Sequence, residues 1–218
     1  MSRPFDKAKY KVLSEGLEIS EVEWSSMNED IRFDAEYFRK RFLREETNLR
    51  KFSRHTLAEV AFVSDGQHGY FETDAASPIH MLAARNAKQW FADQEDAVPI
   101  AKWVDDKNQR SSLRENDIIL STRGTVGCCA IVGQDVLPAN INQDVARLAI
   151  HHPDFLPEFV LAYLNSSYGQ DWLQRNQTGM VQQGVCLQKL RNMPIPCLSS
   201  DFQASIATHL HKTRDIID

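Results

Sequence analysis

The segment from Leu113 to Gly133, LRENDIILSTRGTVGCCAIVG, constrains the fold more than any other part of the chain. Two apolar runs, Ile118–Leu120 and Cys128–Val132, flank a polar tip, Ser121-Thr-Arg-Gly-Thr-Val-Gly127. The pattern predicts a hairpin with both strands anchored in the core. Gly124 and Gly127 shape its turn, because glycine takes up positive φ at no steric cost. An arginine and several hydroxyls are more than a plain turn requires. Such a tip is suited to holding a phosphate, reading a base edge, or only turning the chain.

Composition narrows the choice. A chain of 218 residues with 42% hydrophobic content can bury a real core, as one domain or one domain with an appendage. Its longest apolar runs, such as Phe159–Leu164, are far too short to cross a bilayer, and the N-terminal MSRPFDKAKYKVL has no secretory apolar stretch. The expected location is cytoplasmic, with no membrane partner. Cys128 and Cys129 are adjacent while Cys186 and Cys197 stand alone. Without a C-x-x-C pair, neither a zinc ribbon nor a disulfide framework is indicated, and buried reduced thiols are expected. The net charge is −5. Residues 1–56 carry 12 basic and 11 acidic side chains, whereas residues 57–200 carry 11 basic and 16 acidic. That balance argues against a nonspecific nucleic-acid coat, which needs a basic field. It is compatible with a reader of base edges whose partner subunits grip the phosphates.

Along the chain, Leu17–Trp24 alternates like a short edge strand, and Phe33, Tyr37, Phe38, Phe42 and Leu49 predict an amphipathic helix from Asp34 to about Lys51. Ser64–Gly69 is a loop rich in turn residues, and Pro78–Leu82 reads as a strand delivering Ala84-Arg-Asn86 to a loop. Trp90–Trp103 reads as a surface insertion with Lys102–Arg110 as its polar tip. Val145–Ile150 is a strand, Pro153 to about Asn176 a helix pair, Leu187–Leu190 a helical turn, and Met193-Pro-Ile-Pro196 an extended segment. A terminal helix starts near Ser199, with Ile206, Leu210 and Ile217 on its apolar face.

Catalytic signatures do not assemble. Gly124-Thr-Val-Gly127 is formally a G-x-x-G but lacks the basic neighbourhood and helix–loop–helix setting of a single-strand RNA clamp. No Gly-Lys-Ser/Thr Walker loop is present. Methyl transfer would need a glycine-rich turn after a first strand and an Asn/Asp-Pro-Pro-aromatic segment, for which Met193-Pro-Ile-Pro196 is no substitute. His68 lies near Asp65 without a Gly-x-Ser-x-Gly elbow, and His209 and His211 face different sides of a helix. No catalytic residue, metal site or cofactor is therefore expected. What remains is a recurrent set of polar loop ends: Gln67 and His68; Arg85, Asn86 and Lys88; Thr122, Arg123 and Thr125; Asn140, Asn142 and Gln143; and Gln182. Arg, Asn and Gln have the geometry for bidentate contacts to guanine and adenine edges.

The order of these pieces resembles the DNA target-recognition domains in the specificity subunits of type I restriction–modification systems. Asp65-Gly66 with His68, then the Arg85–Asn86 turn, precedes Leu113–Gly127, which is similar to the pattern L-x-x-G-D-h-L-h-S-x-x-G-T-h-G. Asn140–Asp144, Pro157–Ser166, Gly179–Gln182, Met193–Pro196 and the Gln203–Ala207 helix start follow in order. Arg32–Phe38 looks like the lead-in to such a domain. Two departures stand out: Asn116 replaces a usual glycine, and one recognition domain is present instead of two.

The resemblance implies a mixed α/β (α+β) fold, with a twisted, β-rich recognition domain, flanking helices and a C-terminal spacer helix. Residues 1–56 would be the lead-in, 57–198 the recognition domain, and 199–218 the start of the spacer or dimerisation helix. It implies double-stranded DNA recognition without catalysis, methyltransferase (M) subunits and a restriction (R) subunit as partners, and self-pairing through the terminal helix. Arg123 and Arg85 would contact guanine or phosphate, and Gln67, Asn86, Asn142 and Gln182 would read bases. Two other readings are the recognition domain of a fused N6-adenine methyltransferase, and an interaction scaffold that does not bind DNA.

Overall fold

The computed structural model describes residues 6–24, 34–179 and 184–217. The chain divides into two compact units, Met1–Lys51 and Phe52–Asp218. In the first, α1 (Lys7–Leu13) is capped by Asp6, whose carboxylate accepts the Lys9 amide N–H at 3.0 Å. A second helix, α2 (Lys40–Leu49), buries Phe42 and Leu49. It starts later than the apolar spacing predicts, because Asp34 Oδ1 accepts the Tyr37 amide N–H at 3.0 Å and closes a separate turn before the helix. Leu17–Trp24 is not a strand: it belongs to no sheet among the described residues, Glu18 instead accepts the Lys40 amide N–H at 3.1 Å, and Leu17 and Trp24 are exposed.

The second unit begins with β1 (Arg54–Thr56), α3 (Leu57–Val60), β2 (Ala61–Asp65), β3 (His80–Leu82), β4 (Trp90–Phe91), β5 (Val98–Pro99) and α4 (Lys102–Lys107). It continues with β6 (Ile118–Ser121), β7 (Cys129–Ile131), β8 (Ala139–Ile141), β9 (Val145–Ile150), α5 (Pro157–Asn165) and α6 (Ser167–Asn176). It closes with α7 (Leu187–Arg191), β10 (Pro194–Pro196) and α8 (Ser200–Ile217). Five strands form one sheet in the order β2-β9-β6-β7-β4, three form a second in the order β5-β3-β8, and β1 pairs with β10.

The hairpin is antiparallel β6–β7, with Ile118 opposite Ile131 and Leu120 opposite Cys129. Ile118, Ile119 and Leu120 are all fully buried, because β6 is central and covered on both faces; hence the unbroken apolar run. Ile119 joins Leu82, Val136, Ile141 and Val145 in the largest described core cluster, and α5 packs on β7 and β4. Each such buried aliphatic side chain contributes about 1.5–3 kcal/mol.

Residues 90–103 are not a surface insertion. Trp90–Phe91 and Val98–Pro99 are strands of the two sheets, and Ile100 and Val104 are buried with Met81. All four cysteines are free, but only Cys129 is fully buried, which pushes its thiol pKa well up; Cys186 is exposed, contrary to the expectation of buried thiols. No helix among the described residues is long and apolar enough to cross a membrane.

Two polar anchors sit in this core. Arg147 on β9 places Nε 2.6 Å from Asp117 Oδ2, both side chains being almost fully buried. Its Nη1 donates to the Arg110 carbonyl at 3.1 Å, which also accepts the Ser64 hydroxyl at 2.9 Å. Asn140 on β8 is fully buried; its amide donates to Asp105 Oδ1 at 2.7 Å and to the Asn108 carbonyl, and its Oδ1 accepts from Ser111.

Asn116 leads into β6 with φ +67°, while its amide N–H donates to the Val132 carbonyl at 2.9 Å. This left-handed position explains the glycine of the related pattern, and Asn is a side chain that tolerates it. Asn116→Gly is expected to leave stability unchanged within about 0.5 kcal/mol, whereas Asn116→Ala should lower it by about 1 kcal/mol. Urea unfolding of the three proteins checks this, and an Ala variant as stable as the parent would contradict it.

Candidate nucleic-acid interface

The polar loops singled out in the sequence leave the two sheets at one end. Strands β2 and β6 both run antiparallel to β9, with Asp65 opposite Ala146 and Ser121 opposite Val145, so β2 and β6 finish where β9 begins. In the second sheet β3 and β8 are parallel and also finish here, with the Asn142 amide donating to the Leu82 carbonyl at 3.0 Å. A bridge between Gln67 and Asn142 ties the two sheet ends together. Strand β7 starts beside the tip and β4 runs parallel to it, which brings residues 85–89 to the same end.

Gly66 makes the tie possible. A Cβ there would collide with the Ile141 carbonyl, so only glycine lets Gln67 N–H reach that oxygen, at 2.9 Å. The tip is fixed from behind: Gln170 on α6 donates to the Gly127 carbonyl at 2.9 Å and to Leu164 O at 2.8 Å, and Ser121 Oγ donates to Thr125 O. Gly127 has φ +96°, in the left-handed region that favours glycine, so the turn requires it. A groove of about 390 Å³ opens beside the tip, lined by Asp65, Thr122, Arg123, Gln143, Thr178 and Gly184 among others.

Within this face Arg123 is exposed, with Nη1 3.6 Å from Asp144 Oδ1. Thr125 and Arg85 are also exposed, and Asn142 and Gln143 are half-buried. His68 is exposed with Nε2 2.7 Å from Asp65 Oδ2. Lys88 is exposed but held by Glu95 at 3.1 Å and Asp93 at 3.4 Å, hydrogen bonds that raise its ammonium pKa. Gln67 donates to the carbonyls of His68 and Tyr70, bracing its own loop. Thr122 is buried, its hydroxyl donating to the Asp144 carbonyl.

Two expected DNA-contacting residues are corrected. Asn86 and Asn140 are fully buried with their amides in internal hydrogen bonds, Asn86 to Ala83, Asp93 and Glu95, so neither presents an edge to a ligand. Gln182 lies outside the described residues. Sequence reasoning missed Arg110, whose Nη2 lies 2.9 Å from Asp65 Oδ1, and Tyr70, 90% exposed on the same loop as His68. It also missed the Arg147–Asp117 pair, although an arginine within the apolar strand VARLAI was a legible signal for a buried partner. Among the described residues no group of His, Cys, Asp and Glu is placed to hold a metal ion.

Solved proteins that share this architecture include subunits of type I restriction–modification systems. No protein-family model matches the chain. It is 29% identical over 139 residues to the Type I restriction enzyme EcoBI specificity subunit of Escherichia coli, a match spanning 64% of this chain and 29% of that protein. A solved structure of the type I R-M system, described for its complex assembly and conformational transition, superposes with a TM-score of 0.57 at 15% identity, covering 81% of this chain and 44% of that one. The HsdS subunit from Thermoanaerobacter tengcongensis superposes with a TM-score of 0.53 at 16% identity, over 80% and 43%. The mixed α/β fold of the chain is thus HsdS-like, and the chain spans less than half the length of these relatives.

Because Gly66 sets the distance between the two sheet ends, Gly66→Ala is expected to lower stability by about 1–3 kcal/mol through overpacking. Thermal unfolding measures it, and a variant melting with the parent would show that the ends do not meet as described.

Proposed function

We propose that the chain recognises a specific double-stranded DNA sequence as the specificity component, or half of one, of a type I restriction–modification complex. The observation that carries this reading is the convergence of the 65–70, 83–89, 121–128 and 142–144 loops at one end of both sheets, with Arg123 and Arg85 exposed among them. Similarity to the EcoBI specificity subunit supports it. Strand ends held in rigid register can present side chains to base edges, and arginine is the residue best fitted to a guanine's paired acceptors.

On this reading the chemistry belongs to partners. Methyltransferase subunits, and a restriction subunit, act where the chain directs them, and they supply most of the contacts to phosphate. The helix α8 is proposed to carry subunit contacts, including self-pairing. It docks on its own domain through Gln203, which accepts from Leu156 N–H at 2.9 Å and donates to Asp154 O, and through His211 beside Glu158 at 3.0 Å; Phe202 is left half exposed. Of the recognition residues, Arg123 at the tip, Arg85 and Asn142 are assigned to DNA.

Arg123→Ala is expected to weaken binding of the methyltransferase-assembled chain to its target duplex by about 1–3 kcal/mol at moderate salt. Equilibrium titration against a fluorescent duplex gives the value. An unchanged affinity would make the tip a structural turn and remove the main support for this reading.

A further inference from the structure

The turn that follows α4 is fixed from the inside more firmly than an exposed loop needs. Asp105, Asn108 and Ser111 are bound by the buried Asn140, and the Arg110 carbonyl accepts from both the buried Arg147 and Ser64. The result is to hold one exposed side chain in place. Arg110 is 58% exposed, and its Nη2 lies 2.9 Å from Asp65 Oδ1. The other carboxylate oxygen of Asp65 meets His68 Nε2 at 2.7 Å, so both oxygens are engaged. An exposed pair of this kind contributes little to stability.

We propose that Arg110 is a specificity-determining residue that reads a guanine edge of the target DNA, with Asp65 holding the guanidinium plane. The inference rests on the DNA-recognition reading above and adds a residue to it. An ion pair at one end of the guanidinium keeps it beside Asp65 and leaves the donors of the planar fork for a ligand, the geometry that matches guanine O6 and N7. The same carboxylate disfavours a phosphate as the ligand. It cancels the positive charge that a phosphate would need, and it would itself be brought against the anion. A base edge carries no net charge and loses nothing by this. Arg123 stands near Asp144 at 3.6 Å, and Asp65 lines the same groove as Arg123, so the two arginines belong to one proposed reading surface.

Selection from a randomised duplex pool tests the inference, using the full chain with and without its methyltransferase partner. The parent, Arg110→Lys, Arg110→Gln and Asp65→Asn are compared after thermal unfolding has verified that each is folded. The parent should enrich a defined sequence. Both Arg110 variants should keep it except at one position, where the preference for guanine falls at least about tenfold. Asp65→Asn should reduce the preference at that same position. Unchanged preference at every position, or an even loss of affinity across all sequences, would overturn the assignment of Arg110 while leaving DNA recognition standing. A folded parent that enriches no sequence would overturn both.

Discussion

The buried Arg147–Asp117 pair is the interaction on which the loop-bearing end of the sheets depends. A guanidinium inside a β-sheet core is tolerated only when its donors are met, and losing one partner of such a pair costs on the order of 3–5 kcal/mol. Here the partners come from separate stretches of chain. Asp117 stands immediately before β6 and also accepts the Arg114 amide N–H at 2.7 Å, closing the turn that contains Asn116. Arg147 lies at the middle of β9, opposite Ile119 on one side and Ser64 on the other, and reaches the carbonyl of Arg110. One pair therefore sets where β6 begins, which face of β9 is turned inward, and where the chain leaving α4 arrives. A slip of one residue in β9 would turn Arg147 to the opposite face and separate it from both Asp117 and the Arg110 carbonyl.

Much of this frame could be read from the amino-acid order. The hairpin, the strand Val145–Ile150, the helix pair and the extended Pro194–Pro196 segment were legible because each has a pattern longer than the ambiguity of a single residue. Of the smaller sheet only β3, within Pro78–Leu82, was. Its strands are two or three residues long, too short to show alternation, and they are defined by partners far along the chain, as when His80 pairs with both Pro99 and Ala139. For the same reason residues 90–103 gave no sign of being core. In the candidate site, the loops and Arg123 were legible, but burial of Asn86 and Asn140 was not, since an asparagine in a turn-rich segment looks the same whether its amide meets water or backbone. The position of Arg110 depends on the fold of the smaller sheet, and so it was hidden with it.

The acidic balance of residues 57–200 also takes on meaning from geometry. Asp65 and Asp144 stand on the proposed DNA face, where bare carboxylates would repel a polyanion. Both are instead beside arginines, Arg110 and Arg123, and Asp65 is beside His68 as well. The face is thus close to neutral while remaining rich in directed hydrogen-bond donors. Such a surface gains little from the phosphate backbone at any sequence and gains most where a base offers matching acceptors. On the proposed reading, affinity that must come from phosphates then falls to other subunits.

Loops at the end of a sheet have their own polar groups to satisfy before any ligand arrives. That requirement consumes many of the polar side chains that a sequence displays there. Thr122 donates to Asp144 O, Asn142 Oδ1 accepts from Asp144 N–H, Gln67 braces the 67–70 backbone, and Asn86 and Asn140 are committed in full. Residues with one or two hydrogen-bonding groups are readily exhausted in this way. Arginine is not, because a carboxylate that occupies one or two of its five donors leaves the rest for a partner. If this end of the sheets reads DNA as proposed, the physical logic favours arginines beside acids as its readers, with amides and hydroxyls serving mainly to keep the loops in shape.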